Sequence, residues 1–381
     1  MNASDDGSPR ESPLDAALRR RGGVLAPYEG FLLAGRFNDP AGEYYHATET
    51  VGVIDQTYRD LYSIRGHGAA GFLQRLVTSD VSALADGEGQ PSCFLTPKGK
   101  LLAAFHLFRL GEEEFLAFFA GPVPPNALRS LERYAFLEDI AIADEGNARR
   151  MITVQGPRAI VCLRHAHFEI RDPPARFWLR ARVPFRGEEI FVREECRSVD
   201  GGLTLEIPLP ALEAAWEALV TSATDFSGGP VGWSTEEDLR IHAGIPRWGV
   251  DFDGSNFPNE SGWDGAISYK KGCYIGQEVI ARMRTYGHAN RKLLHLHCPD
   301  RWIVDRDTKV YRGGKEVGRI TSVAQSPARR TKTALAYLRP EVWEPDTLVA
   351  IGTPEAAADA PVANLPIIEP PAPGQEEESR A

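Results

Sequence analysis

Lys270-Lys271-Gly272-Cys273-Tyr274-Ile275-Gly276-Gln277-Glu278 leads into Val279-Ile280-Ala281-Arg282, and the fold and function of the chain are read outward from this stretch. Two glycines ahead of a Gln-Glu pair and an apolar run read as a turn feeding the first turn of a helix. Cys273 is thereby expected at or near a helix start. Unpaired N–H groups, the positive end of the helix dipole and the ammonium groups of Lys270 and Lys271 would all favour a thiolate there. The competing reading is a small buried apolar residue, since free cysteine is among the most buried types. Glu278 is expected to turn back and cap the helix.

The chain has 381 residues, 43% hydrophobic and 25% charged, an ordinary globular balance long enough for two or three domains. No apolar run suits a signal peptide or a membrane span, so a cytoplasmic protein is expected. A formal net charge of −10 disfavours both nucleic acid and a membrane surface as partners. Five widely spaced cysteines, without a C-x-x-C pair, indicate neither a disulfide framework nor a permanently bound metal. A permanent iron–sulfur cluster normally takes several clustered thiolates, which this chain does not offer.

Hydrophobic periodicity predicts helices over 43–51, 69–76, 126–136 and 211–222, with strands over 58–65, 92–95, 101–109, 114–121, 151–154 and into 207. The strand, glycine and helix order at Ile64-Arg65-Gly66 recurs at Gln155-Gly156-Pro157, a faint internal repeat. The fold class expected is α+β: two mixed modules, 36–150 and 151–287, around a central cleft, then a small antiparallel β-barrel over 288–352. A flexible arm with one short helix near Leu14 (1–35) and a disordered tail (353–381) flank them.

From Lys271 to Glu278 the sequence resembles the signature of the YgfZ family, folate-binding proteins similar to the glycine cleavage T-protein and linked to iron–sulfur cluster assembly or repair. Residues 64–81, Phe94-Leu95-Thr96-Pro97-Lys98-Gly99-Lys100 and Arg240-x-x-x-Gly244-Ile245-Pro246 resemble the same family. The resemblance implies a reduced folate such as tetrahydrofolate as ligand, iron–sulfur client or assembly proteins as partners, and Cys273 as the reactive residue within the loop Lys271, Gly272, Tyr274, Gly276, Gln277 and Glu278. It further implies that the hairpin holding Lys98 borders the folate cavity. T-proteins carry an aspartate on the next strand, where this chain has Leu101-Leu102-Ala103-Ala104. That difference argues against aminomethyl transfer by the T-protein route.

Two further residues stay open between roles. Glu206 is either on a solvated strand face or, as the resemblance implies, accepts hydrogen bonds from a pterin. Arg240 either grips a folate carboxylate or pairs with Glu236 or Glu237 on its own helix. His242, and the His295-x-His297 pair, are read as structural.

Overall fold

The computed structural model describes residues 8–136, 138–170, 180–195, 201–286, 289–299, 304–326, 331–356 and 359–365. Cys196, Asp200 and the tail from 366 lie outside them. The architecture is α+β, with a five-stranded and a six-stranded sheet, a small three-stranded sheet and a closed six-stranded barrel.

The first sheet is antiparallel, in the order Gly89–Leu95, Leu101–Gly111, Glu114–Phe119, Leu61–Arg65, Ala141–Asp144. Alternate residues along Leu101–Gly111 separate its faces: Ala103, Phe105 and Leu107 join Phe72, Leu73 and Leu76 of helix Ala69–Leu76 in one core. The second sheet orders Arg180–Phe185, Glu188–Glu194, Gly202–Pro208, Arg149–Gln155, Gly52–Asp55 and Gly229–Val231. Helix Leu209–Asp225 covers it through Leu212, Trp216 and Leu219. Met151 of the second sheet packs with Leu61, Phe108, Leu116 and Phe118 of the first. In both sheets a strand ends at a glycine with positive φ, Gly66 (139°) and Gly156 (109°), whose carbonyl accepts from the first helical N–H, of Ala69 or Ala159. An added Cβ would sit 1.9 Å from the Asp139 carbonyl oxygen or 2.8 Å from that of Thr50, so neither position tolerates a side chain.

Three features differ from the sequence reading. Strand Gly52–Asp55 belongs to the second sheet although it lies within 36–150, because Val53 faces that sheet's core while Ile54 packs with Ala47 and Val231 on the other side. The stretch expected as a flexible arm is part of the fold from Arg10. Leu14, Ala17 and Leu18 enter the second core, and strands Val24–Tyr28 and Phe31–Arg36 form a hairpin whose Tyr28 stacks on Trp233 at 4.7 Å. At the other end, strand Ala360–Ala363 falls within the segment expected to be disordered, yet pairs with both Lys292–Pro299 and Leu348–Ile351 to close the barrel. Its alternation of buried Ala360 and Val362 fills the barrel core, a signal obscured by the Ala- and Pro-rich composition around it.

Candidate functional site

Three stretches far apart in sequence meet around Cys273. Lys271 is 7% exposed and its Nζ donates to the carbonyls of Val77 and Ser79 at 2.7 Å each. The Ile275 N–H donates to the Arg75 carbonyl at 3.3 Å. Gly276 (φ 84°) lies against the 97–100 turn, where an added Cβ would meet the Thr96 carbonyl oxygen at 2.7 Å and Gly99 Cα at 3.1 Å. Tyr274 and Ile280 then join Cys93, Leu95, Leu101 and Phe252 in one cluster. The segment is thus a wedge between the end of helix Ala69–Leu76 and the hairpin turn.

This geometry alters the case for an activated thiolate. Helix Gln277–Tyr286 begins four residues after Cys273, beyond the first turn over which a helix terminus acts. The Lys271 ammonium is engaged by two carbonyls, and Glu278, instead of capping, ion-pairs with Arg282 on the same helix. What does hold is access: Cys273 is exposed, whereas Cys93, Cys162 and Cys298 are buried. Burial pushes the Cys162 thiol up to about 11 and that of Cys298 to about 12. Native-state alkylation near neutral pH is therefore expected to label Cys273 long before these three, with the order read by mass-spectrometric mapping. Equal labelling of Cys93 would contradict the packing.

Burial also pushes the Lys271 ammonium down to about 8 from 10.5. Between those values the unfolded chain binds more protons than the folded one, so Lys271 makes stability rise with pH. A Lys271→Met variant lacks this slope. The stability gap between wild type and variant, from urea midpoints, should shift in favour of wild type from pH 8 to pH 10; a constant gap would show the ammonium to be solvated.

Beside the wedge, and sharing its hydrophobic cluster through Ala104, Trp248, Phe252 and Trp263, is a small recess open to solvent. Glu29, Phe119 and Arg247 complete the walls that matter chemically. Of the two alanines at 103 and 104, only Ala104 lines it; Ala103 faces the core of the first sheet. Trp263 Nε1 and Arg247 Nε are buried and, among the described residues, carry no hydrogen bond. Sequence reading missed Glu29 because it fell in the supposed arm. Arg247 and Trp248 directly follow the quoted Gly244-Ile245-Pro246 block, a usable signal that was not followed.

None of the three residues proposed for folate contact from sequence, Glu206, Arg240 and Lys98, lines this recess. Glu206 is fully buried, contrary to a solvated face, and its carboxylate is gripped by both Nε and Nη2 of Arg180, whose guanidinium lies 3.3 Å from the Phe191 ring centroid. Arg240 donates to Glu237, Asp251, Ser322 and the Ile245 carbonyl. Those bonds use all five of a guanidinium's N–H donors, so none is left for a folate tail. Lys98 is exposed at the hairpin tip. His295 donates through Nε2 to the Ile241 carbonyl at 2.8 Å, a structural role. Among the described residues no three His, Cys, Asp or Glu side chains converge to hold a metal, and no helix is long and apolar enough to cross a membrane.

The GCVT N-terminal domain matches residues 14–271, and the glycine cleavage T-protein C-terminal barrel domain matches residues 291–368. An aminomethyltransferase of Bacillus subtilis (strain 168) is 25% identical over 370 residues, covering 94% of this chain and 98% of its own. That of Geobacillus kaustophilus (strain HTA426) is 25% identical over 340 residues, covering 87% and 91%. The crystal structure of glycine cleavage system aminomethyltransferase T from Bartonella henselae superposes with a TM-score of 0.82 at 20% identity, over 94% of this chain and 96% of that one. With family domains matched along most of its length, the chain belongs to the glycine cleavage T-protein family.

Proposed function

We propose that the chain is a folate-binding protein of the YgfZ branch of this family, supporting assembly or repair of iron–sulfur clusters in client proteins, with Cys273 as its reactive group. The observation that carries this reading is Ala104. Where T-proteins present an aspartate after the hairpin turn, the side chain lining this recess is a methyl group, which neither accepts a proton nor pairs with an amine. The match from Lys271 to Glu278 and the exposure of Cys273 point the same way.

Tetrahydrofolate would supply a ring nitrogen able to carry a one-carbon unit. The aromatic side chains of Trp248, Phe252 and Trp263 suit a planar ring, and the orphaned N–H groups of Trp263 and Arg247 suit its polar edge. The cluster belongs to the client and is cargo, not a resident cofactor.

A second reading, folate-dependent aminomethyl transfer, is favoured by the names of the relatives and opposed by Ala104. The deciding experiment complements a strain lacking the protein with wild type and with Cys273→Ser, scored by the activity of cluster-containing enzymes, alongside an aminomethyl-transfer assay on purified protein. Restoration by wild type, failure of Cys273→Ser and absence of turnover are expected. Steady turnover would move the assignment to the second reading. Full restoration by Cys273→Ser would leave only a docking scaffold.

A further inference from the structure

Glu29 sits at the tip of the hairpin joining Val24–Tyr28 to Phe31–Arg36, in a two-residue Glu29-Gly30 turn with φ of 49° and 79°. Positive φ at both central positions is the type I′ arrangement, which strongly favours Asn-Gly. A glutamate in the left-handed region is sterically disfavoured, as is Arg186 (φ 51°) in the matching Arg186-Gly187 turn, so the case for Glu29 rests on its place in the recess. The turn places Glu29 among the residues that line the recess, as Ala104 does.

The carboxylate of Glu29 is 24% exposed and lies 3.6 Å from Arg247 Nη1, too far for a hydrogen bond. That nitrogen already donates to Tyr28 Oη at 2.9 Å and is 3.0 Å from Glu237. Glu29 therefore faces a positive group without being satisfied by it, and both its oxygens are available to a ligand. Desolvation raises its pKa, opposed by Arg247 and reinforced by Glu237, while Arg240 lowers it further away. Among the described residues, Glu29 and Arg247 are the charged ones on the recess walls. Together with Trp263 Nε1 they present one acceptor group and two kinds of donor across an aromatic slot. This pattern complements an amino-pyrimidinone edge, which has N–H donors beside a carbonyl acceptor, and does not complement the carboxylate-bearing tail of a folate, which Glu29 would repel.

We propose that Glu29 is the ligand-binding carboxylate of the recess, accepting hydrogen bonds from the amino and ring N–H groups of a pterin while Arg247 and Trp263 donate to its acceptors. This rests on the folate reading above and assigns the pterin end, not the tail, to the recess. Glu29 takes over a contact that neither Glu206, held by Arg180, nor residue 104 can make.

The test is calorimetry of the full chain with tetrahydrofolate, with methyltetrahydropterin as the ring alone, and with p-aminobenzoylglutamate as the tail alone. Wild type should bind the first two, and Glu29→Gln should bind both about tenfold more weakly or worse, as expected for loss of a charged acceptor. Glu29→Asn, which suits the turn better, should melt at or above the wild-type temperature while also losing affinity, a combination that misfolding does not produce. Ala104→Leu, which fills the recess, should abolish binding without touching Glu29. Unchanged affinity in Glu29→Gln or in Ala104→Leu overturns the assignment while leaving the folate reading intact. So does binding of the tail fragment in preference to the ring. If wild type binds no tetrahydrofolate, the folate reading itself fails and the assignment of Glu29 falls with it.

Discussion

Replacing Arg240 by alanine is expected to lower the unfolding free energy by about 3–5 kcal/mol, the range for breaking a buried ion pair from one side. Its guanidinium is 1% exposed and joins three parts of the chain. Nε and Nη2 hold Glu237 on the same helix at 2.9 and 2.8 Å, Nη1 holds Asp251 at 2.8 Å in the loop that follows, and Nη2 reaches Ser322 in the barrel at 3.2 Å. Burial acts to lower the arginine pKa, but Asp251 and Glu237 outweigh it and raise the value. Alanine would leave Asp251, whose side chain is 0% exposed, with only the hydroxyls of Thr321 and Ser322 and the Arg247 N–H. The barrel is docked through those same hydroxyls, so the loss should appear as a lower urea midpoint and weaker barrel docking. Arg240→Lys keeps the charge but not the fork, and should fall between. Tetrahydrofolate affinity measured well below the melting transition should change little, because no donor of Arg240 is free to reach a ligand. A variant that melts like wild type but loses the ligand would reverse this account and restore the role the family resemblance implied.

Arg240 also illustrates how far sequence alone reaches. Its spacing to Glu237 on one helix made an ion pair legible, and that pair forms. Asp251 and Ser322 were not legible, because they are brought in by a loop and by a separate barrel, and no local pattern encodes such contacts. The α+β class and the barrel were readable from periodicity 2 and 3.6 in the elements themselves. The arm was misjudged since Asp, Ser and Pro in its first dozen residues outweighed Leu14, Ala17 and Leu18, which only a tertiary partner, the helix Leu209–Asp225, reveals as core. Glu206 shows the opposite error. A glutamate in an apolar strand was weighed between solvent and ligand, while the protein's own Arg180 satisfies it from the neighbouring edge hairpin. The glycines of the 270–278 stretch do form a turn ahead of a helix, but Gly276 takes a positive φ and delays the helix start to Gln277.

Gly276→Ala should therefore be the most damaging small change within the signature loop, destabilising by about 2–3 kcal/mol through a left-handed backbone and a steric clash together. The φ of 84° alone penalises any L side chain. The added Cβ would also meet the Thr96 carbonyl oxygen at 2.7 Å and Gly99 Cα at 3.1 Å, both backbone atoms that cannot swing aside as a flexible side chain would. Relief requires the loop to back away from the 97–100 turn, drawing Tyr274 and Ile280 out of the cluster that also holds Phe252. Gly99 is the reciprocal half of the contact, since its own Cβ, at φ 73°, would meet Val279 Cβ at 3.0 Å. Alanine at both positions should accordingly cost less than the sum of the single changes, because one separation of loop and turn relieves both clashes. Urea denaturation of the four proteins in the cycle measures this coupling, and hydrogen exchange at the Ile280 amide, which bonds the Gly276 carbonyl at 3.4 Å, reports whether the opening is local. Strict additivity, or a Gly276→Ala protein as stable as wild type with unchanged exchange, would mean that the loop does not bear on the turn, and the wedge that presents Cys273 would have to be abandoned.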